Sequence, residues 1–174
     1  MKKQRITLGD IVAIPLPDGR FAFGREFESG LGVYDHIGLS ISDVPKGLRR
    51  FLFIVGVART DLSSGQWPKI GKDTDLPKDA IGWNLGYTKD AMNGAFSIYD
   101  HESGQSRAAS EAECRGLEQI ASWGAGHVVD RIVAFLQGEP SDWLSDSPWV
   151  PDIVELGADG RVSVRIPFAT WSAA

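Results

Sequence analysis

The residues best suited to chemistry fall in a repeated tripeptide, Tyr34-Asp35-His36 and Tyr99-Asp100-His101. Two Asp-His pairs brought together by strand pairing would offer imidazole nitrogens and carboxylate oxygens to a metal ion. The only other histidine is His127, and no His-x-x-x-His, Cys-x-x-Cys or His-Glu-x-x-His spacing accompanies the pairs. The competing reading is local, with strand-end imidazoles that are solvated or bonded to nearby backbone. Cys114 falls near the start of a predicted helix, where the dipole lowers a thiol pKa, but Glu111, Glu113 and Glu118 oppose a thiolate. The glycines form neither a phosphate-binding Gly-x-x-x-x-Gly-Lys nor a dinucleotide fingerprint and read as turn and bulge residues. No catalytic motif and no cofactor site emerges, so the expectation is a protein without enzymatic activity.

A different chemistry is concentrated near the C-terminus. From Gln137 to Gly160 the chain carries acidic residues and no lysine or arginine, interleaved with Trp143 and Trp149. Carboxylates steer a basic partner and aromatic rings supply buried anchoring area, which makes Glu139, Asp142, Trp143, Asp146, Trp149 and Asp152 the candidate partner-binding residues. The alternative is a solvated loop whose tryptophans plug the core.

Composition narrows the partner. Eighteen basic residues against twenty-three acidic ones give a net charge of −5, which opposes long-range attraction to phosphate backbones. A nucleic-acid surface would need Lys46, Arg49, Arg50 and Lys69 to cluster with aromatics. Met1-Lys2-Lys3-Gln4-Arg5 resembles the start of a signal peptide, but Gly9-Asp10 and Pro15 break the apolar run behind it. With no stretch approaching the roughly 20 apolar residues of a membrane span and a single cysteine, the expectation is a reduced, cytoplasmic protein without membrane contact.

The elements that must position these groups are legible in the pattern. Ile11, Val12 and Ile14 predict one strand, and Phe21, Phe23, Arg25 and Phe27 form one face of a second, joined by the turn residues Pro17-Asp18-Gly19. Gly32 to Leu39 reads as a third strand. Phe51-Leu52-Phe53-Ile54-Val55-Gly56-Val57, the most apolar run, reads as a buried central strand. Residues 60–91 form an irregular excursion holding one or two short strands, anchored by Trp67 and Trp83, and Ala95 to Tyr99 is another strand. Ser110 and Glu113 have capping-box spacing, which with Leu117, Ile120 and Ala121 predicts a helix that Gly124 and Gly126 interrupt. A second helix from about His127 to Gln137 carries Val128, Ile132, Phe135 and Leu136 on one stripe. Ile153 to Leu156, Asp159-Gly160 and Arg161 to Ile166 predict a C-terminal hairpin. The 174 residues read as one domain. Its fold is α+β and β-rich, a twisted antiparallel sheet or partly open barrel with two helices covering one side.

Four motifs follow one another along the chain: Gly9-Asp10-Ile11-Val12-Ala13-Ile14-Pro15-Leu16, Asp18-Gly19-Arg20-Phe21-Ala22-Phe23-Gly24, Gly65-Gln66-Trp67-Pro68-Lys69-Ile70-Gly71, and Ala112-Glu113-Cys114-Arg115-Gly116-Leu117-Glu118 followed by Trp123 and His127-Val128-Val129-Asp130-Arg131. Their order resembles the immunity protein 26 family of bacterial toxin systems. The resemblance spans about residues 8–135, and the segment 137–168, with the acidic stretch, lies beyond it. Gly-Asp-Ile-Val alone also opens unrelated small barrels, including toxin nucleases of the MazF/PemK type. The resemblance implies a non-enzymatic, cytoplasmic protein that binds and neutralises a co-encoded toxin. It carries over no catalytic residues, and Gly9, Phe23 and Trp67 match family positions that serve turn and core. Two other functions stay open on the residues alone, a small β-rich enzyme with an unrecognised Asp/His site and a barrel-type nucleic-acid-binding module.

Overall fold

The computed structural model describes residues 3–139, 141–144 and 149–167. The first hairpin forms as its sequence dictates: β1 (Asp10–Pro15) and β2 (Phe21–Glu26) pair antiparallel, with Ala13 opposite Phe23. Gly19 takes φ +85° in the connecting turn. β3 (Leu31–Gly38) and β4 (Arg50–Val57) extend the sheet, and the short β5 (Lys69–Lys72) closes its other edge against β1. The C-terminal hairpin, β11 (Ile153–Leu156) and β12 (Val162–Ile166), joins through β11 to the first half of β4. Beside the last residues of β4 lies β10 (Ser122–Trp123), paired parallel to it.

Strand alternation sends β4 side chains both ways, and both faces of this sheet are covered. On one face Val12, Leu31, Val33, Phe53 and Val55 pack with Leu62 of α1 (Arg59–Ser64) and with Val128, Ile132 and Phe135 of α3 (Ala125–Leu136). On the other, Phe23, Phe27, Tyr34, Phe51 and Ile54 meet a second, four-stranded sheet through Tyr87 and Ile98. That sheet has the order β8 (Gln105–Ala109), β7 (Phe96–Asp100), β6 (Leu85–Lys89), β9 (Glu118–Gln119). The fold is therefore α+β and β-rich, and the described residues form no closed barrel. Trp67 and Trp83 anchor the excursion as expected, one in each core. Among the described residues no helix is long and apolar enough to cross a membrane.

The helix expected from Ser110 to Trp123 is a correction. The capping box forms, with Ser110 and Glu113 bonded reciprocally, but α2 covers only Glu111–Cys114. Gly116 then turns the chain at φ +73°, and its missing Cβ leaves room for the Asp152 carboxylate. Beyond it, Glu118–Gln119 pairs with the small sheet and Ser122–Trp123 with the large one, so this strap joins the two. α2 also lies on the opposite side from α1 and α3, since Cys114 is buried in the core beneath the small sheet.

Charge is buried too. Arg25 exposes none of its side chain, and its Nε sits 2.8 Å from the Asp73 carboxylate. Its Nη2 donates to Pro77 O at 2.6 Å, and its guanidinium lies over Phe27. Tyr34 Oη donates to the same carboxylate at 3.1 Å. Removing one partner of a buried pair strands the other. Arg25→Ala is expected to cost about 3–5 kcal/mol, whereas Arg25→Met combined with Asp73→Leu should cost less than Arg25→Ala alone. Urea denaturation of the three proteins checks both.

Candidate functional site

α3 divides its side chains by period. Val128, Ile132 and Phe135 point into the core, and Arg131 joins them, buried over Phe53 and Trp123. The bidentate bond from Arg131 to Glu118 of β9, at 2.7 and 3.0 Å, holds that rotation. The N-terminus of α3 is satisfied by Asp61, whose Oδ2 accepts the Ala125 N–H at 2.8 Å. With the inner stripe committed, His127, Asp130, Ala134 and Gln137 fall on the outer side at helical spacing.

The chain after α3 completes a groove. Ser141 and Leu144 are buried, and Ser141 O accepts the Leu144 N–H at 2.9 Å. This closes a 3-10 turn over Asp142–Leu144 that directs Trp143 outward. Trp143 stacks on His127 with ring centroids 3.7 Å apart and donates through Nε1 to Asp130 Oδ2 at 3.0 Å. Half of it stays exposed. Asp130, Glu139, Asp142 and Trp143 line an open groove of about 280 Å³. No ion pair among the described residues engages these three carboxylates.

Of the residues expected to bind a partner, the structure thus brings together Glu139, Asp142 and Trp143. Trp149 and Asp152 lie elsewhere. Trp149 packs on Tyr87 at 4.9 Å and donates to Leu117 O at 3.2 Å, so this tryptophan fills the seam under the small sheet. Asp152 pairs with Arg165 at 3.0 Å, and burial raises its pKa against the pull of that guanidinium. Asp146 lies outside the described residues. His127 and Asp130 were missed, although their three-residue spacing on the polar side of a predicted amphipathic helix was available as a signal.

The two Asp-His pairs do not meet in a site. Asp35 is 2.6 Å from Arg50, and His36 Nε2 donates to Asp43 O at 2.9 Å while its ring lies against Phe23. Asp100, in the other sheet, accepts from the Glu102 N–H at 2.8 Å and from Ser103 Oγ at 3.0 Å. Among the described residues no three His, Cys, Asp or Glu side chains converge as a metal site would require. Burial raises the Cys114 thiol pKa, and Glu113 adds to the effect. Lys69 is held by Asp10 at 2.8 Å and Arg50 by Asp35, so two of the four basic residues weighed for nucleic acid are neutralised locally.

Compared with family models, with curated proteins and with solved structures, the chain finds no match.

The two tryptophans make opposite predictions. Trp149→Ala should destabilise by about 3 kcal/mol through lost packing, while Trp143→Ala should stay within about 1 kcal/mol. Denaturation midpoints separate the two. A pH effect follows from His101, whose pKa burial lowers while Asp100 partly opposes the shift. A base with a depressed folded pKa takes up its proton more readily when unfolded. Stability should therefore fall as pH drops below about 6.5, and His101→Gln should flatten that part of the profile.

Proposed function

We propose that this chain is a non-enzymatic, cytoplasmic immunity-type inhibitor that binds and neutralises a co-encoded basic protein toxin of the nuclease class. The observation that carries the reading is the α3 groove, where carboxylates without cationic partners among the described residues surround a half-exposed tryptophan held in place by His127 and Asp130. Aromatic anchors ringed by charge are the pattern of an interaction hot spot. A nuclease cleft built to attract phosphate is attracted by the same carboxylates, and steering of this kind raises the association rate. The net charge of −5 acts in the same direction. The motif order from residue 8 to 135 supports the family, and the groove adds a docking surface that joins Asp130, inside that span, to Glu139, Asp142 and Trp143 beyond it. Against a catalytic reading, His127 beside the groove is stacked on Trp143, and the crevice at His101, about 60 Å³, is far smaller than the roughly 300–1,000 Å³ of drug-sized ligand pockets.

The test is made with the product of the adjacent gene. Expressed alone it should arrest growth, and co-expression of this chain should restore it. The purified pair should associate in a salt-sensitive way. Glu139→Lys with Asp142→Lys should slow association roughly tenfold or more, and Trp143→Ala should weaken binding by about 2 kcal/mol. A neighbouring product that neither binds nor arrests growth removes the proposal.

A further inference from the structure

The seam between the two sheets holds polar groups that neither the fold nor the α3 groove uses. Where the strap of residues 118–123 crosses beside the end of β4, a crevice of about 60 Å³ remains, walled by Trp83, His101, Gln119, Ile54, Val55 and Ile120. Trp83 is 5% exposed, and its indole N–H has no acceptor among the described residues. An indole nitrogen only donates, so what it lacks is an oxygen or another acceptor. The His101 backbone N–H is committed to Asn84 O at 2.8 Å, and its ring meets the edge of Tyr99. Neither nitrogen of that ring has a hydrogen-bond partner among the described residues.

Charge in the crevice is already balanced. Glu118, which also lines it, is held by both terminal nitrogens of Arg131. Burial favours the neutral imidazole of His101, which offers one donor and one acceptor. An ion would therefore find no uncompensated counter-charge and would be desolvated at a cost. Ile54, Val55 and Ile120 make the rest of the wall apolar, and Ile120, 38% exposed, stands at its mouth. A water needs roughly 10–15 Å³ of such space, so a crevice of about 60 Å³ sets the occupant at about four non-hydrogen atoms. Gly86 keeps this wall thin, because a Cβ there would lie 2.6 Å from Ile120.

We propose that this crevice binds a small neutral molecule carrying a carbonyl oxygen and an N–H, a short primary amide being the closest match. The oxygen answers the Trp83 N–H, the amide N–H donates to His101, and the alkyl end rests against Ile120. None of these residues belongs to the α3 groove, so this site and toxin binding stand or fall separately.

The test uses the ¹⁵N-labelled full chain, whose six tryptophans give six indole signals, with Trp83→Phe identifying the one that belongs to Trp83. Acetamide should shift that signal along a saturating curve and leave the other five in place. Acetate, its charged counterpart, should bind roughly tenfold more weakly. His101→Ala should weaken acetamide roughly fivefold, and His101→Gln, which keeps a donor and an acceptor, should restore most of the loss. Should the alanine variant not fold, the glutamine variant and the acetamide-to-acetate ratio decide. A shift that does not saturate, an equal response to acetate, or a signal that ignores acetamide because the crevice holds water alone would each overturn the proposal.

Discussion

Arg25 is a cation with no access to water, and much of the chain's path follows from that. It stands on the same face of β2 as Phe23 and Phe27, where an unpaired guanidinium would be prohibitive. Its donors are met by Asp73 and by the carbonyl of Pro77, both more than forty positions away. The chain leaving β5 must therefore pass beneath the first hairpin, and Tyr34 ties down the same carboxylate from β3. That passage carries Leu76, Ala80 and Trp83 into the second core and delivers the chain to the small sheet. A buried ion pair need not add net stability over an apolar pair of similar shape. Here it selects one route for an excursion whose own sequence, rich in Gly, Pro, Asp and Lys, specifies little.

Arg131 does for the helical face what Arg25 does for the other. Its guanidinium lies over Phe53 and Trp123 and grips Glu118 with two bonds, so α3, β4 and the strap from the small sheet are fixed to one another by a single side chain. A fork of this kind fixes orientation as well as distance, which a lysine would not. The rotation of α3 about its axis follows, and with it the outward position of Asp130 and His127. The groove is thus a consequence of interactions on the opposite side of the helix.

Elements with a strong local period were legible in the sequence, and those defined by distant pairing were not. The first hairpin, the β4 run, α3 and the C-terminal hairpin each carry alternation or helical spacing together with turn residues, and each is present. Leu117, Ile120 and Ala121 also have helical spacing, yet Leu117 is buried while Ile120 is 38% exposed. A two-residue parallel pairing such as Glu118–Gln119 with Gly86–Tyr87 leaves no periodic trace. The glycine at position 116, which takes a positive φ, was the available warning. α1 and β8 were unforeseen for a similar reason, because Arg59–Ser64 lies in a polar stretch and Gln105–Ala109 is an edge strand with little to bury.

The site shows the same limit at the scale of single residues. Trp143 and Trp149 sit in one acidic stretch and are indistinguishable by composition. What separates them is the pair of anchors around each: buried Ser141 and Leu144 turn Trp143 outward, whereas the neighbours of Trp149 are Tyr87 and Phe96 of the small sheet. This division bears on function. The inner stripe of α3 is fully engaged by the core, so its residues are constrained by packing. Polar changes at Glu139 and Asp142 touch nothing the core relies on and should be nearly neutral for stability. Recognition needs that freedom, because discrimination between partners is a difference of affinities tuned by adding and removing charges at a rim. A surface whose carboxylates can vary while Arg131 keeps the helix in place can change its specificity without altering the fold.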